Sequence, residues 1–186
     1  MKIEAVEVVK RFGAHRALDG LSMTVPSGAV YGLVGPNGAG KTTAIRHIAG
    51  ILRPDGGEVL ADGVPVFENV DAKARMAYIP DEVFCFPQAS VNDMMHFYRG
   101  VYPGFDSQRF ERLAEAFPID RKMPMRRFSR GMKKQAAFWL ALSLRPELLV
   151  LDEPSAALTD IEVEGLFDIM RKLTSEGKSI IFISHK

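Results

Sequence analysis

The sequence predicts an α/β fold built on a mostly parallel core sheet, with an N-terminal antiparallel β layer and a helical insertion. Three observations lead there. The apolar runs at 148–151 and 180–184 show no alternation of polar and apolar residues, the pattern of strands covered on both faces. Stretches with helical spacing of apolar residues lie between the apolar runs. Val59 and Leu60, then Asp62-Gly63, then Val64 and Val66 carry the signal of a β-hairpin, which belongs to an antiparallel layer.

Along the chain, residues 3–9 supply a first strand for the antiparallel layer. Residues 29–34 form a third apolar run, read as a buried strand, and 41–52 follow it directly as a helix. The hairpin at 58–66 comes next. From 84 to 118, Pro87, Pro103, Gly104 and Pro118 punctuate short helical stretches, so this region reads as a helical insertion, extending to roughly residue 145. Residues 131–144, rich in Ala, Leu, Phe and Trp, form a further helix. In 161–174, Ile161, Leu166, Ile169 and Leu173 fall near one helix face, and Gly177 is the expected stop. The strand at 180–184, with almost no chain after it, is expected at a sheet edge.

A length of 186 residues is about one domain. Hydrophobic residues at 47% and charged residues at 25% are globular values. Lys+Arg at 24 against Asp+Glu at 23 leaves a net charge of +1, without the basic excess of a dedicated nucleic-acid binder. The single cysteine, Cys85, allows no internal disulfide and no cysteine-based zinc cluster, which fits a reducing compartment. Glu4 and Glu7 interrupt any signal-peptide core, and the longest apolar run, 136–142, is far short of the ~20 residues that span a bilayer.

The segment Gly35-Pro36-Asn37-Gly38-Ala39-Gly40-Lys41-Thr42 matches G-x-x-x-x-G-K-[ST] in full, directly after an apolar strand and directly before a helix. Glycines let backbone N–H groups turn inward around phosphate oxygens, and the helix N-terminus adds partial positive charge. Lys41 is the expected partner of the β- and γ-phosphates, the Thr42 hydroxyl a ligand for Mg²⁺, and Thr43 a donor to the α-phosphate. Residues 148–151 end in Asp152-Glu153, and a parallel strand delivers its last residues to the sheet edge where ligands bind. There Asp152 would hold Mg²⁺ through water, and Glu153 would position or deprotonate an attacking water.

With these two segments in order, the whole chain, 1–186, resembles a single ABC ATP-binding domain, a P-loop NTPase whose phosphate loop is the Walker A motif. The resemblance implies ATP and Mg²⁺ as ligands and further site residues. Phe12 stands where the family has an aromatic that stacks on adenine. Phe128-Ser129-Arg130-Gly131-Met132 resembles the signature L-S-G-G-Q, matching at Ser129 and Gly131, which would cap the γ-phosphate held by a second subunit. Asp152 and Glu153 match the metal-site aspartate and catalytic glutamate. Ser155-Ala156-Ala157-Leu158-Thr159 resembles the loop that communicates across the dimer. His185 closes the last strand as the switch histidine does. Asp81 stands where the family has a glutamine that touches Mg²⁺, and it is carried over as a metal contact. His15, His47 and His96 receive no role.

The resemblance further implies a head-to-tail pair of ATP-binding domains, homodimeric or with a related subunit, that drives a membrane permease from the cytoplasmic face, with no direct nucleic-acid contact. Asp81 and the compact insertion look most like bacterial export-type subunits. Phe84, Phe86, Met94, Met95, Phe97, Tyr98, Val101, Tyr102 and Phe105 supply either a docking patch or a subdomain core, with two or three of them expected exposed. Basic residues from Arg121 to Lys134 flank the signature, as a solvated face or as an attraction for phosphates or lipid headgroups. Related domains continue past the switch histidine, so the chain is expected to be C-terminally truncated. Two other functions stay open: a soluble ABC ATPase acting on nucleic acid or ribosomes, and a regulatory module that closes on ATP and hydrolyses it weakly, motivated by Asp81, Arg130 and Thr159.

Overall fold

The computed structural model describes residues 1–155 and 159–184; of residues 160–162 it describes the backbone alone. Two four-stranded sheets organise the chain. The first is antiparallel: β1 (Ile3–Phe12), β2 (His15–Val25), β4 (Gly56–Ala61) and β5 (Val64–Pro65) in the order β2-β1-β4-β5. Its β4–β5 turn is the expected one, with Asp62 and Gly63 both at positive φ, 50° and 83°, as a two-residue hairpin turn requires. The second sheet is parallel throughout: β3 (Val30–Val34), β8 (Ser179–Ser184), β7 (Leu148–Leu151) and β6 (Met76–Ile79) in the order β3-β8-β7-β6.

This order corrects two expectations. The strand at 180–184 is not an edge; β8 lies between β3 and β7. The edges are β3 and β6, and on β3 Val30 and Val34 are 47% and 68% exposed rather than buried. An apolar run specifies a strand, but its place in the sheet depends on crossovers that span most of the chain.

The helices are α1 (Lys41–Ile48), α2 (Val70–Ala74), α3 (Val91–Val101), α4 (Ser107–Arg112), α5 (Arg130–Leu142) and α6 (Asp160–Ser175), with 3-10 turns at Leu113–Ala116 and Met125–Arg127. Every secondary-structure element between β6 and β7 is therefore helical. Polar caps start its helices: Ser90 and Asp93 form a reciprocal capping box on α3, and Asp106 and Ser129 accept from backbone N–H groups of α4 and α5. Among the described residues no helix is long and apolar enough to cross a membrane.

The buried strand β7 explains why its run shows no alternation. Leu148 and Val150 pack with Ala44, Ile45 and Ile48 of α1 and the inner residues of the antiparallel sheet, while Leu149 and Leu151 join the core of the helical region. All four are at most 2% exposed, each burial stabilising the fold by ~1.5–3 kcal/mol. The helical core centres on Trp139. Its ring stacks on Phe110 with centroids 4.6 Å apart, its Nε1 donates to the Phe110 carbonyl at 2.7 Å, and the Arg121 guanidinium lies 5.7 Å from its ring centroid. Met94 and Met95 face this core, but Phe84, Phe86, Phe97, Val101 and Tyr102 are exposed, five residues where two or three were expected. Edge-on contacts link Phe84 to Phe86 and Phe86 to Phe97 in an aromatic ridge on the surface.

Candidate functional site

The phosphate loop joins β3 to α1. Gly40 caps α1 at φ 82°, and a Cβ there would meet the Ala17 carbonyl oxygen at 2.4 Å, so both conformation and space demand glycine. Gly38 shares the left-handed conformation, at φ 81°, but faces open space. Lys41 Nζ donates to the carbonyls of Gly35 and Pro36 at 2.7 and 2.8 Å, which holds the ammonium within the loop. His47, in the last turn of α1 and 2% exposed, sits with Nδ1 2.7 Å from the Thr43 carbonyl in the first turn.

A cleft of about 460 Å³ opens on this loop. It is lined by Phe12, His15, Ala17, Asn37, Gly38, Gly40, Lys41, Thr42, Thr43 and Glu153. Phe12 reaches it from the tip of the β1–β2 hairpin, where it pairs across the turn with His15, and it is half exposed. His15 and Ala17 are additions to the expected lining. Their signal is the tight F-G-A-H turn: a two-residue hairpin that presents Phe12 must bring its cross-strand partner along. Gly35, Pro36 and Ala39 form the loop itself but do not line the cleft. Ser129 and Gly131 lie at the start of α5, outside the cleft lining; the Ser129 hydroxyl accepts from the Met132 N–H at 3.1 Å, an ordinary N-cap.

From the end of β7, Glu153 lines the same cleft, while Asp152 lies behind it against Thr42. Thr42 Oγ1 donates to Asp152 Oδ1 at 3.3 Å, and the Tyr78 hydroxyl, on β6, lies 3.5 Å from Oδ2. Asp152 is 4% exposed, and burial pushes its carboxyl above the usual range, with nearby Glu153 and Asp81 raising it further against the Thr42 hydrogen bond. A hydroxyl beside a buried carboxylate is a hard oxygen donor set, and the neighbouring negative charge favours a cation; the residues fit Mg²⁺. Glu153 follows in a left-handed conformation, φ 49°, a departure that costs a side-chain-bearing residue ~1–3 kcal/mol.

Asp81 lies where the loop after β6 meets α5. Its Oδ2 pairs with Arg130 at 2.6 Å and its Oδ1 with Lys134 at 3.5 Å, so both oxygens face cations of α5. In the structure it is an ion-pair partner of both cations. The ammonium of Lys134, 1% exposed, was not anticipated at all. Residues 121–134 gave only a basic stretch, and nothing in it marks which lysine turns inward. His185, with Ala156, Ala157 and Leu158 of the dimer-loop segment, lies outside the described residues.

A parallel sheet whose phosphate loop and acidic strand end open on one cleft defines a P-loop NTPase. The chain belongs to the ABC transporter family, whose model matches residues 18–156. It is 32% identical to the ribose import ATP-binding protein RbsA of Lacticaseibacillus paracasei, over all of this chain and 40% of that protein. It is 36% identical to the ribose import ATP-binding protein RbsA 1 of Rubrobacter xylanophilus, over 98% of this chain and 39% of that one. The chain thus spans about two fifths of the length of these curated relatives. Among solved structures it is similar to an ATP-binding subunit of an ABC transporter, with TM-score 0.89, 25% identity, and coverage of 100% of this chain and 80% of that one.

Proposed function

We propose that this chain is an ATP-binding subunit of a transporter, binding MgATP at the phosphate loop and hydrolysing it to drive a membrane permease from the cytoplasmic face. The observation that carries this reading is the convergence of Lys41, Thr42, Asp152 and Glu153, from two distant segments, on one side of the molecule. Lys41 and the loop N–H groups would hold the β- and γ-phosphates, and Phe12 would support the base. Thr42 and Asp152 would hold Mg²⁺, which when bound neutralises phosphate charge. Glu153 would accept the proton of the attacking water. Ser129 and Gly131, outside this cleft, suit a role toward nucleotide held by a second ATP-binding domain. The exposed ridge of Phe84, Phe86 and Phe97 supports a protein partner at the helical region.

The test is steady-state ATP hydrolysis by the purified chain with Mg²⁺, beside nucleotide binding and oligomeric state. Turnover is expected, lost in Glu153→Gln with binding and an ATP-dependent dimer retained, and lost with binding in Lys41→Ala. Turnover that Glu153→Gln leaves intact overturns the catalytic reading. Membranes that retain the chain equally after Phe84→Ser and Phe86→Ser overturn the permease-facing surface.

A further inference from the structure

The ATPase reading gives no task to Lys134, the buried cation beside its acidic pair. Lysine is almost never fully buried without a partner, because its ammonium loses hydration. Here the four-carbon chain runs from the second turn of α5 to four acceptors. Nζ lies 3.0 Å from the Asp152 carbonyl oxygen, 3.0 Å from that of Glu153, 3.4 Å from that of Asp81, and 3.5 Å from Asp81 Oδ1. An apolar residue would fill this space at lower desolvation cost, so the charge needs another explanation.

The backbone supplies it. In an extended strand, successive carbonyls point to opposite sides, and one donor cannot reach two in a row. The carbonyls of Asp152 and Glu153 meet at one Nζ where the chain turns sharply after β7, with Glu153 at φ 49°. That conformation disfavours a residue with a Cβ, and persists only where its surroundings hold it. Lys134 bridges both carbonyls of that turn. Arg130 lies one turn earlier on the same face of α5 and grips the other oxygen of Asp81, so α5, the loop after β6 and the end of β7 are joined through two cations and one carboxylate.

We infer that Lys134 is a positioning residue for hydrolysis: its buried ammonium fixes the turn that aims Glu153, and Asp81 ties that turn to the start of the signature helix. The inference rests on the ATPase reading above.

The experiment compares MgATP hydrolysis by wild type, Lys134→Met and Asp81→Asn, each also with Glu153→Gln. Lys134→Met is expected to lower kcat at least tenfold while KM changes less than threefold, because phosphate contacts remain. In the Glu153→Gln background it should lower the residual rate less than twofold, since it acts through Glu153. An equal loss in both backgrounds, a rise in KM with kcat intact, or unchanged turnover overturns the inference. Should Lys134→Met fail to fold, Asp81→Asn decides: a kcat at least threefold lower at unchanged KM, absent in the Glu153→Gln background, supports the inference, and an unchanged kcat overturns it. Wild-type turnover insensitive to Glu153→Gln, or no turnover, overturns the ATPase reading itself; sensitivity to Glu153→Gln without sensitivity to Lys134→Met or Asp81→Asn overturns the positioning role alone.

Discussion

The Thr42 hydroxyl donates to the Asp152 carboxylate across 3.3 Å, joining the first turn of α1 to the end of β7. This contact ties the phosphate-binding segment to the acidic one, with the Tyr78 hydroxyl 3.5 Å from the other carboxylate oxygen. It also leaves a carboxylate in an environment that resists its charge.

Neutralising Asp152 should therefore separate activity from stability. Asp152→Asn is expected to cut turnover with Mg²⁺ by roughly a hundredfold or more. In chelator the same variant should melt higher, by ~2–4 °C for each kcal/mol of relieved burial cost. The sign follows from the raised carboxyl. The folded state binds the extra proton, so metal-free wild type loses stability as pH rises from the ordinary 3.8 through the raised folded value. Melting curves of both proteins from pH 4 upward, in chelator, check the difference; equal slopes would sink it.

Gly40 and Gly38 share a left-handed conformation but not the space around it. Gly40→Ala is expected to cost more than ~2 kcal/mol, combining strained φ with a Cβ 2.4 Å from the Ala17 carbonyl oxygen. Gly38→Ala meets nothing within 4 Å and should cost only ~1 kcal/mol. Urea midpoints at constant m-value test the ordering.

Arg75 binds Glu147 through Nε and Nη2, at 2.9 and 2.6 Å, and Asp62 through Nη2 at 2.6 Å. Backbone and guanidinium hydrogen bonds hold both carboxyls below their usual values, led by the Lys2 N–H at Asp62 and by Arg75 at Glu147. Depressed carboxyls stabilise above their ordinary range and lose that stabilisation as pH falls through the folded value. The partners are over a third exposed, so Arg75→Ala should cost only ~1 kcal/mol at pH 7, and progressively less as pH falls below the ordinary 3.8 and 4.5 toward the lowered folded values. A penalty constant across that range would contradict the ion-pair account.

Trp139→Ala should destabilise by ~3–5 kcal/mol, since it opens a cavity and removes the donor to the buried Phe110 carbonyl. Trp139→Phe should lose less. Chemical denaturation of both measures the split.

The sequence carried the parallel core and the phosphate loop well, because both depend on local signals. Leu148, Leu149, Val150 and Leu151 sit between two cores, and an uninterrupted apolar run is what that position requires. Gly40 is dictated by its own φ and by one neighbouring carbonyl. What escaped was set by distant partners. β2 was missed because Asp19, Gly20 and Ser22 break its apolar pattern, and β6 because four residues carry little periodicity. β3 looked buried because its composition does not record that only β8 pairs with it. The inward turn of Lys134 and the pairing of Asp81 with Arg130 depend on how α5 lies against the ends of β6 and β7, which no spacing of residues encodes.

With Phe12 against the base as proposed above, its hairpin would bear on selectivity. An aromatic face meets a nucleobase as a flat polarisable plate and does not read the donors and acceptors along its rim. Held this way, a guanine nucleotide would be accepted nearly as well as an adenine one, and the cell's own abundances would choose the fuel.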